Sequence, residues 1–104
     1  MAAWIVYITA KDKSQALQIG RALVEEHLAA CINVWDGMHS VYRWEGAVEE
    51  ASEAVLIVKT TERSVPEIVD RVKALHTYAC PCVAAWPIDN GNPSYLEWIE
   101  RESG

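Results

Sequence analysis

Short apolar runs alternate along the chain with stretches in which apolar side chains recur every three or four residues. The first run, Trp4 to Ile8, is apolar throughout, which is typical of a central strand covered on both faces. A helix is predicted from about Lys13 to Leu28, because its apolar residues keep the helical period and Asp12 precedes it as a cap. Its predicted buried positions are Leu17, Gly20, Val24 and Leu28.

The longest β-type stretch runs from Cys31 to Thr61 and predicts one long hairpin. Two runs of β-branched and aromatic residues flank Glu45-Gly46, the predicted turn, and Asp36-Gly37 predicts a bulge in the first arm. An arm of about 13 residues would reach roughly 43 Å, whereas a domain of this size has a radius of gyration of only about 13 Å. The hairpin tip therefore extends beyond its own core, and we expect another copy of the chain to cover it.

A second helix is predicted to begin near Ser64. Ser64 and Glu67 have the spacing of a capping box, and Pro66 fits the first turn of a helix. The predicted buried side consists of Val65, Ile68, Val69, Val72 and Leu75.

The last third of the chain predicts a strand and a short helix. Pro81 to Asp89 is apolar, and its prolines predict an edge strand. Asn92 as cap and Pro93 at the first position predict a helix that packs through Tyr95, Leu96 and Ile99. The order β-α-β-β-α-β with a short C-terminal helix predicts an α+β, ferredoxin-like sandwich, with residues 1–104 as a single domain.

Charge and composition exclude several classes of protein. The 104 residues carry a net charge of −6 and a pI of about 4.9, which argues against a nucleic-acid partner. No apolar run approaches the ~20 residues that span a bilayer, so no membrane partner is expected. The N-terminal stretch has no basic region and no small-residue cleavage site after an apolar region, as a signal peptide would, and an odd number of cysteines, three, fits a reducing compartment. These features predict a cytoplasmic protein.

Several motifs resemble those of one known family. Leu28-Ala29-Ala30-Cys31-Ile32-Asn33 followed by Tyr42-Arg43-Trp44-Glu45-Gly46 resembles the signature of the CutA family of divalent-cation tolerance proteins. Lys59-Thr60, Pro87-Ile88 and the run from Gly91 to Ile99 continue the resemblance. It implies a ferredoxin-like protomer and a homotrimer in which the long hairpins and the last segment pair across subunits. It also implies a part in tolerance to copper and other divalent metals, with copper or another divalent cation as a ligand and no required cofactor.

The chain departs from the family at several candidate metal positions. Members credited with copper binding have a cysteine where this chain has Ile8, so that only His76 carries over from their ligands. Two acidic positions after the second helix have become Ala79 and Cys82, and the usual lysine after the hairpin glycine is Ala47.

Cys80-Pro81-Cys82 is the most chemically distinctive motif of the chain. In an extended strand the two thiols lie on one face, ~6.6 Å apart. Thiolates with the nearby imidazole of His76 suit copper(I) or zinc, so His76, Cys80 and Cys82 form the predicted metal site. The alternative is that both cysteines are small buried hydrophobic residues.

A ligand-binding cleft is predicted around Trp44, Lys59 and Tyr78, which the resemblance places in one region together with His76. A cationic lysine between aromatic walls suits a small anionic ligand. The alternative is a subunit interface in which the aromatic residues are anchors and Lys59 pairs with a carboxylate. If the cleft binds such a ligand, the alternative function is a trimeric signalling or scaffold module that binds a small anionic effector or a partner protein, similar in architecture to the nitrogen-regulatory signalling proteins.

The remaining chemically active side chains are expected to have structural roles. Cys31 is predicted to pack at the start of a strand, and His27 and His39 to lie on the surface or to cap. The acidic residues near the hairpin tip are predicted to form a solvated patch; they are Glu45, Glu49, Glu50 and Glu53. No phosphate loop, Ser/His/Asp set or H-E-x-x-H motif is present, so no enzyme activity is expected.

Overall fold

The computed structural model describes residues 2–104 and contains, in that range, four strands and three α-helices. In chain order they are β1 (Ala3–Ala10), α1 (Lys13–Glu25), β2 (Cys31–Trp44), β3 (Ala47–Thr61), α2 (Val65–Leu75), β4 (Val83–Pro87) and α3 (Pro93–Glu102). A single 3₁₀ turn, Glu62–Ser64, leads into α2. The strands form one antiparallel sheet in the order β2-β3-β1-β4, so the mixed α+β class predicted from the sequence is confirmed.

One face of the sheet carries the hydrophobic core. Val6 of β1 lies opposite Val58 of β3 and Ala85 of β4, and side chains of α1 and α2 cover this row. The core is formed by Val6, Ile8, Ala10, Ala16, Ile19, Leu23, Ala29, Ala54, Leu56, Val58, Ile68 and Val72.

The opposite face of the sheet is largely open within the chain. Ile5 and Tyr7 point to this face and are half-buried, so the prediction that the first strand is fully covered on both faces is wrong for the isolated chain. By the strand register Trp35 and Trp86 lie on the same face, with 75% and 47% of their surface exposed. A large apolar area of this kind is typical of a surface that another protein covers.

The long hairpin is confirmed in its turn and its bulge. Glu45 and Gly46 have φ of 48° and 82°, and two central residues with positive φ define a type I′ turn, which matches the twist of the flanking strands. Pairing shifts register between Trp35 and Met38, where Gly37 has φ of 78°. The molecule measures 44 × 26 × 22 Å, and residues 41–50 are all exposed, as expected for an arm that extends beyond its core.

Helix α1 begins as predicted but ends earlier. The Asp12 carboxylate accepts from the Gln15 amide at 2.8 Å, which confirms the cap. The helix ends at Glu25 rather than near Leu28, because His27 has φ of 60°, and the amides of Leu28 and Ala29 both turn back to the Leu23 carbonyl.

The buried side of α1 differs from the predicted stripe. Leu17 and Val24 are each 37% exposed, whereas Ala16, Ile19 and Leu23 are fully buried. Both rows have helical spacing, so the period alone does not separate them. Gly20 belongs to the predicted stripe and is buried as predicted: an added Cβ would lie 2.9 Å from side-chain atoms of Ile32 and Leu56, so only glycine allows the helix to approach the sheet so closely.

The predicted capping box of α2 is wrong. Ser64 has helical φ and ψ and makes no capping hydrogen bond, because the 3₁₀ turn already leads the chain into the helix. Its hydroxyl instead donates to the Ser103 carbonyl at 3.3 Å. Pro66 lies in the first turn as predicted, and the buried side centres on Ile68 and Val72.

The C-terminal elements are close to their predicted positions. β4 pairs only with β1 and is an edge strand, as predicted, but it is shorter than Pro81 to Asp89. Asn92 caps α3 by accepting from the Ser94 amide at 3.2 Å. None of the helices within residues 2–104 has the length and apolar character needed to span a bilayer.

Candidate functional site

A cavity of about 750 Å³ opens between the hairpin, the end of β1 and the loop that joins α2 to β4. Its volume falls within the range of roughly 300–1,000 Å³ that small-molecule sites occupy. Its lining residues are Tyr7, Thr9, Met38, His39, Ser40, Val41, Tyr42, Trp44, Glu49, Glu53, Tyr78, Ala79, Cys80 and Cys82.

The bulge in β2 sets which side chains reach this cavity. After the register shift Met38 pairs with Glu53, and Tyr42 pairs with Glu49. Because side chains alternate along a strand, residues two apart point to the same side, so Met38, Ser40, Tyr42 and Trp44 form one row. Aromatic, thioether and carboxylate groups therefore meet on one wall of the cavity.

A buried polar pair joins the loop to this wall. The Tyr78 hydroxyl donates to Glu53 Oε2 at 2.7 Å, and Glu53 is only 8% exposed. Burial, followed by the hydrogen bond to Glu53 and the charge of that carboxylate, raises the pKa of Tyr78. The phenol therefore stays protonated and remains the donor to Glu53.

His76 holds the loop in place and has no free nitrogen. Its Nε2 lies 2.8 Å from the Thr9 carbonyl oxygen, and its Nδ1 accepts from the Tyr78 amide at 3.1 Å. These partners assign the neutral tautomer with the proton on Nε2. The imidazole also contacts the ring of Tyr78, with centroids 4.3 Å apart, so His76 orients Tyr78.

The three residues of the predicted metal site are not assembled as a set. Cys80 and Cys82 line the cavity, but they lie in the loop before β4 rather than on the strand. His76 is absent from the lining, because both of its nitrogens bond to the backbone. Within residues 2–104 no group of three or more His, Cys, Asp and Glu side chains is placed to hold a metal ion.

Both thiols of the Cys80-Pro81-Cys82 motif are exposed, which contradicts the alternative that they are buried hydrophobic residues. Their exposure follows from the loop, because neither cysteine belongs to a strand that packs on the core.

Cys31, at the start of β2, is half-buried beside Tyr95. Burial, and after it the nearby Cys31 thiol, raises the pKa of Tyr95.

The predicted cleft is divided by the structure. Trp44 and Tyr78 line the cavity, but Lys59 does not; its ammonium donates to Asn33 Oδ1 instead. Lys59 is six residues from Glu53 on β3, which is about 20 Å along a strand, and this separation explains why Lys59 does not reach the cavity.

The predicted solvated acidic patch is wrong for Glu53, which is buried. Glu50, in contrast, lies on the surface and pairs with His39 at 2.7 Å.

The sequence of this chain matches one family model, that of the CutA1 divalent ion tolerance protein, over residues 4–102. The chain belongs to this family. The divalent-cation tolerance protein CutA of Thermus thermophilus is 47% identical over 96% of this chain and 97% of its own. The chloroplastic protein CutA 1 of Oryza sativa is 40% identical over 95% of this chain and 56% of its own, so the chain spans about half of that relative.

Solved structures of CutA proteins have the same fold as this family member. The T. thermophilus divalent cation tolerance protein superposes with a TM-score of 0.95 at 46% identity, over 98% of this chain and 99% of that one. A protein described as the periplasmic divalent cation tolerance protein CutA of Archaeoglobus fulgidus gives 0.93 at 39% identity, over 98% and 99% of the two chains.

Sequence reasoning missed several cavity residues of this CutA1-family chain, notably Tyr7, Met38 and Tyr42. The two-residue spacing from Met38 to Trp44 was a usable signal for one common face. Tyr7 carried no such signal, because its place in the cavity depends on the pairing of β1 with β3.

Proposed function

We propose that this protein contributes to divalent-cation tolerance by binding copper as copper(I) at the sulfur atoms that line the cavity. The observation that carries the proposal is the placement of two exposed thiols, Cys80 and Cys82, in one cavity with the Met38 thioether. Thiolate and thioether sulfur are the soft ligands that select copper(I) among the common metals of cells. Copper is the ligand that the protein binds rather than a resident cofactor, and the protein has a binding rather than a catalytic role.

The surroundings of the sulfur atoms support reversible binding. Within residues 2–104 Met38 Sδ accepts one hydrogen bond, a long one of 3.5 Å from the Tyr7 hydroxyl, so a bound metal would displace only this weak contact. Both thiols must lose a proton to bind, so binding should weaken as the pH falls. Titration of the reduced protein with copper(I) tests the proposal. Replacement of Cys80 and Cys82 by serine then tests whether their thiols hold the metal.

The same chemistry supports a reducing compartment. Exposed cysteines two residues apart keep their thiolates available for copper(I) only where they stay reduced. We therefore propose a cytoplasmic location for this chain, although relatives are described as chloroplastic in O. sativa and periplasmic in A. fulgidus.

We further propose a homotrimer of ferredoxin-like protomers. The open sheet face with Trp35 and Trp86 supports it, as do Val41 and Val48 near the hairpin tip, which are 62% and 63% exposed. An apolar area of this size is unfavourable in contact with water, and packing against other subunits would remove it from water.

Sedimentation equilibrium should find three chains per particle at micromolar concentration. Trp35→Glu is expected to dissociate this assembly, because it buries a charge in the apolar contact. The control, Leu17→Glu on the helical side of the sheet, should leave the mass unchanged. A monomer at micromolar concentration for the unmodified protein would exclude the trimer.

A further inference from the structure

We propose that Gln15 of α1 is a positioning residue for copper(I) binding, which it supports by holding the cysteine loop, residues 76–82, that carries Cys80 and Cys82. This role rests on the proposed function, because it concerns the same two thiols. Every contact involved is made within one chain, so none of them depends on how subunits assemble.

Gln15 is a polar residue at a buried position. Only 5% of its surface is exposed, and a buried amide is unfavourable unless it is hydrogen-bonded. Both ends of this amide are used: Oε1 accepts from the Lys11 amide at 2.9 Å, and Nε2 donates to Thr77 Oγ1 at 2.9 Å. The Lys11 N–H can only donate, so it requires Oε1 on its side and directs the NH₂ group to Thr77. The side chain therefore joins the turn before α1 to the cysteine loop.

Thr77 is the middle one of three consecutive residues that each bind a different part of the fold. Before it, His76 Nε2 donates to the Thr9 carbonyl in β1 at 2.8 Å. After it, the Tyr78 hydroxyl donates to Glu53 of β3 at 2.7 Å. With the contact to Gln15, the beginning of the cysteine loop is fixed to β1, α1 and β3.

The end of the cysteine loop is fixed as well. Strand β4 follows it directly, and its first residue pairs with Ile8 of β1. Only residues 79–82 lie between the two fixed ends, and Pro81 restricts the backbone between the two cysteines. A metal that needs both thiols in one geometry loses less conformational entropy on binding when the loop is held in advance. Gln15 is not part of the cavity lining, so it acts on the thiols through the loop.

Thr77→Val tests the contact with Gln15, because valine has the shape of threonine but lacks the hydroxyl that accepts from Nε2. Thr77 is exposed, so the variant should fold. In the metal-free protein, hydrogen exchange of the Tyr78 amide, which donates to His76 Nδ1, should become roughly fivefold faster, as the loss of one hydrogen bond implies. Copper(I) affinity, measured by competition with a chelator, should fall by roughly the same factor.

Two control variants separate position from stability. Thr77→Ser keeps the hydroxyl and should restore both the slow exchange and the copper(I) affinity. Leu17→Ala changes an exposed residue of the same helix and leaves the Gln15 contact intact, so the copper(I) affinity should not change even where stability falls. A serine variant that behaves like Thr77→Val would overturn the proposal, and so would an equal loss of copper(I) affinity in Leu17→Ala.

Gln15→Met removes the same hydrogen bond from the other side. It also leaves the Lys11 amide without its acceptor, so the loss of copper(I) affinity should be at least as large as that of Thr77→Val. The double variant should bind copper(I) as Gln15→Met does, because the two changes act through one contact. Additive losses would mean that the two residues act separately, and they would contradict the positioning role.

The same measurements distinguish failure of this role from failure of the proposed function. Unmodified protein that binds no copper(I) would overturn both. Copper(I) binding that is equally tight in the unmodified protein and in Thr77→Val would overturn the positioning role alone and leave the copper site standing.

Discussion

Replacing Cys80 and Cys82 together by serine is expected to reduce copper(I) affinity by far more than the roughly 100-fold that loss of an outer-shell partner costs a metal site. Serine oxygen is a hard ligand, and copper(I) binds it poorly. The thiols are exposed and lie outside the strands, so the fold should survive the change. Competition with a copper(I) chelator of known affinity measures the loss.

Two single variants show whether the effect belongs to the cavity. Cys31→Ser alters a half-buried thiol that is not part of the lining, so copper(I) affinity should be unchanged. Met38→Leu keeps the volume but removes the thioether, and a loss smaller than that of the double variant is expected. If the double variant retained copper as well as the unmodified protein, the Cys80-Pro81-Cys82 motif would have no part in metal binding.

Leu56→Ala is expected to lower the free energy of unfolding by about 2–5 kcal/mol, the range measured for large-to-small changes at fully buried sites. Leu56 is completely buried on β3, between Val34 of β2 and Ile8 of β1, and it lies under Gly20. Because α1 already packs closely on Leu56 at Gly20, the neighbouring side chains cannot move far enough to fill the cavity that alanine would leave. Urea unfolding at one fixed protein concentration measures the change, because the stability of an oligomer depends on concentration.

Leu17→Ala is the matched control. It removes the same atoms from α1, but Leu17 is 37% exposed and leaves no enclosed cavity, so a smaller effect than that of Leu56→Ala is expected. Equal effects of the two changes would mean that the buried side of α1 is the stripe predicted from the sequence rather than the row through Ala16, Ile19 and Leu23.

Local chemistry made most of the fold predictable. The Asp12 and Asn92 caps, the turn at Glu45-Gly46 and the bulge at Gly37 each depend on a few neighbouring residues, and all are confirmed. The errors arise where distant contacts decide between local alternatives. Two rows of α1 had helical spacing, and only the packing of Ala16, Ile19 and Leu23 into the core decides between them.

The candidate site was less predictable for the same physical reason. Cys80, Cys82, Trp44 and Tyr78 were recognised by residue type, and all four line the cavity. His76 and Lys59 were grouped with them by sequence or by resemblance, but the backbone contacts of His76 and the length of β3 remove both from it. Glu53 looked like a surface carboxylate until its register opposite Met38 placed it beneath Tyr78.

Copper(I) titration of the reduced protein by calorimetry, with reactive thiols counted before and after, tests whether the cavity binds copper. Saturation is expected at one copper ion per chain, with Cys80 and Cys82 protected from a thiol reagent. Weak binding that leaves both thiols as reactive as in the metal-free protein would contradict it.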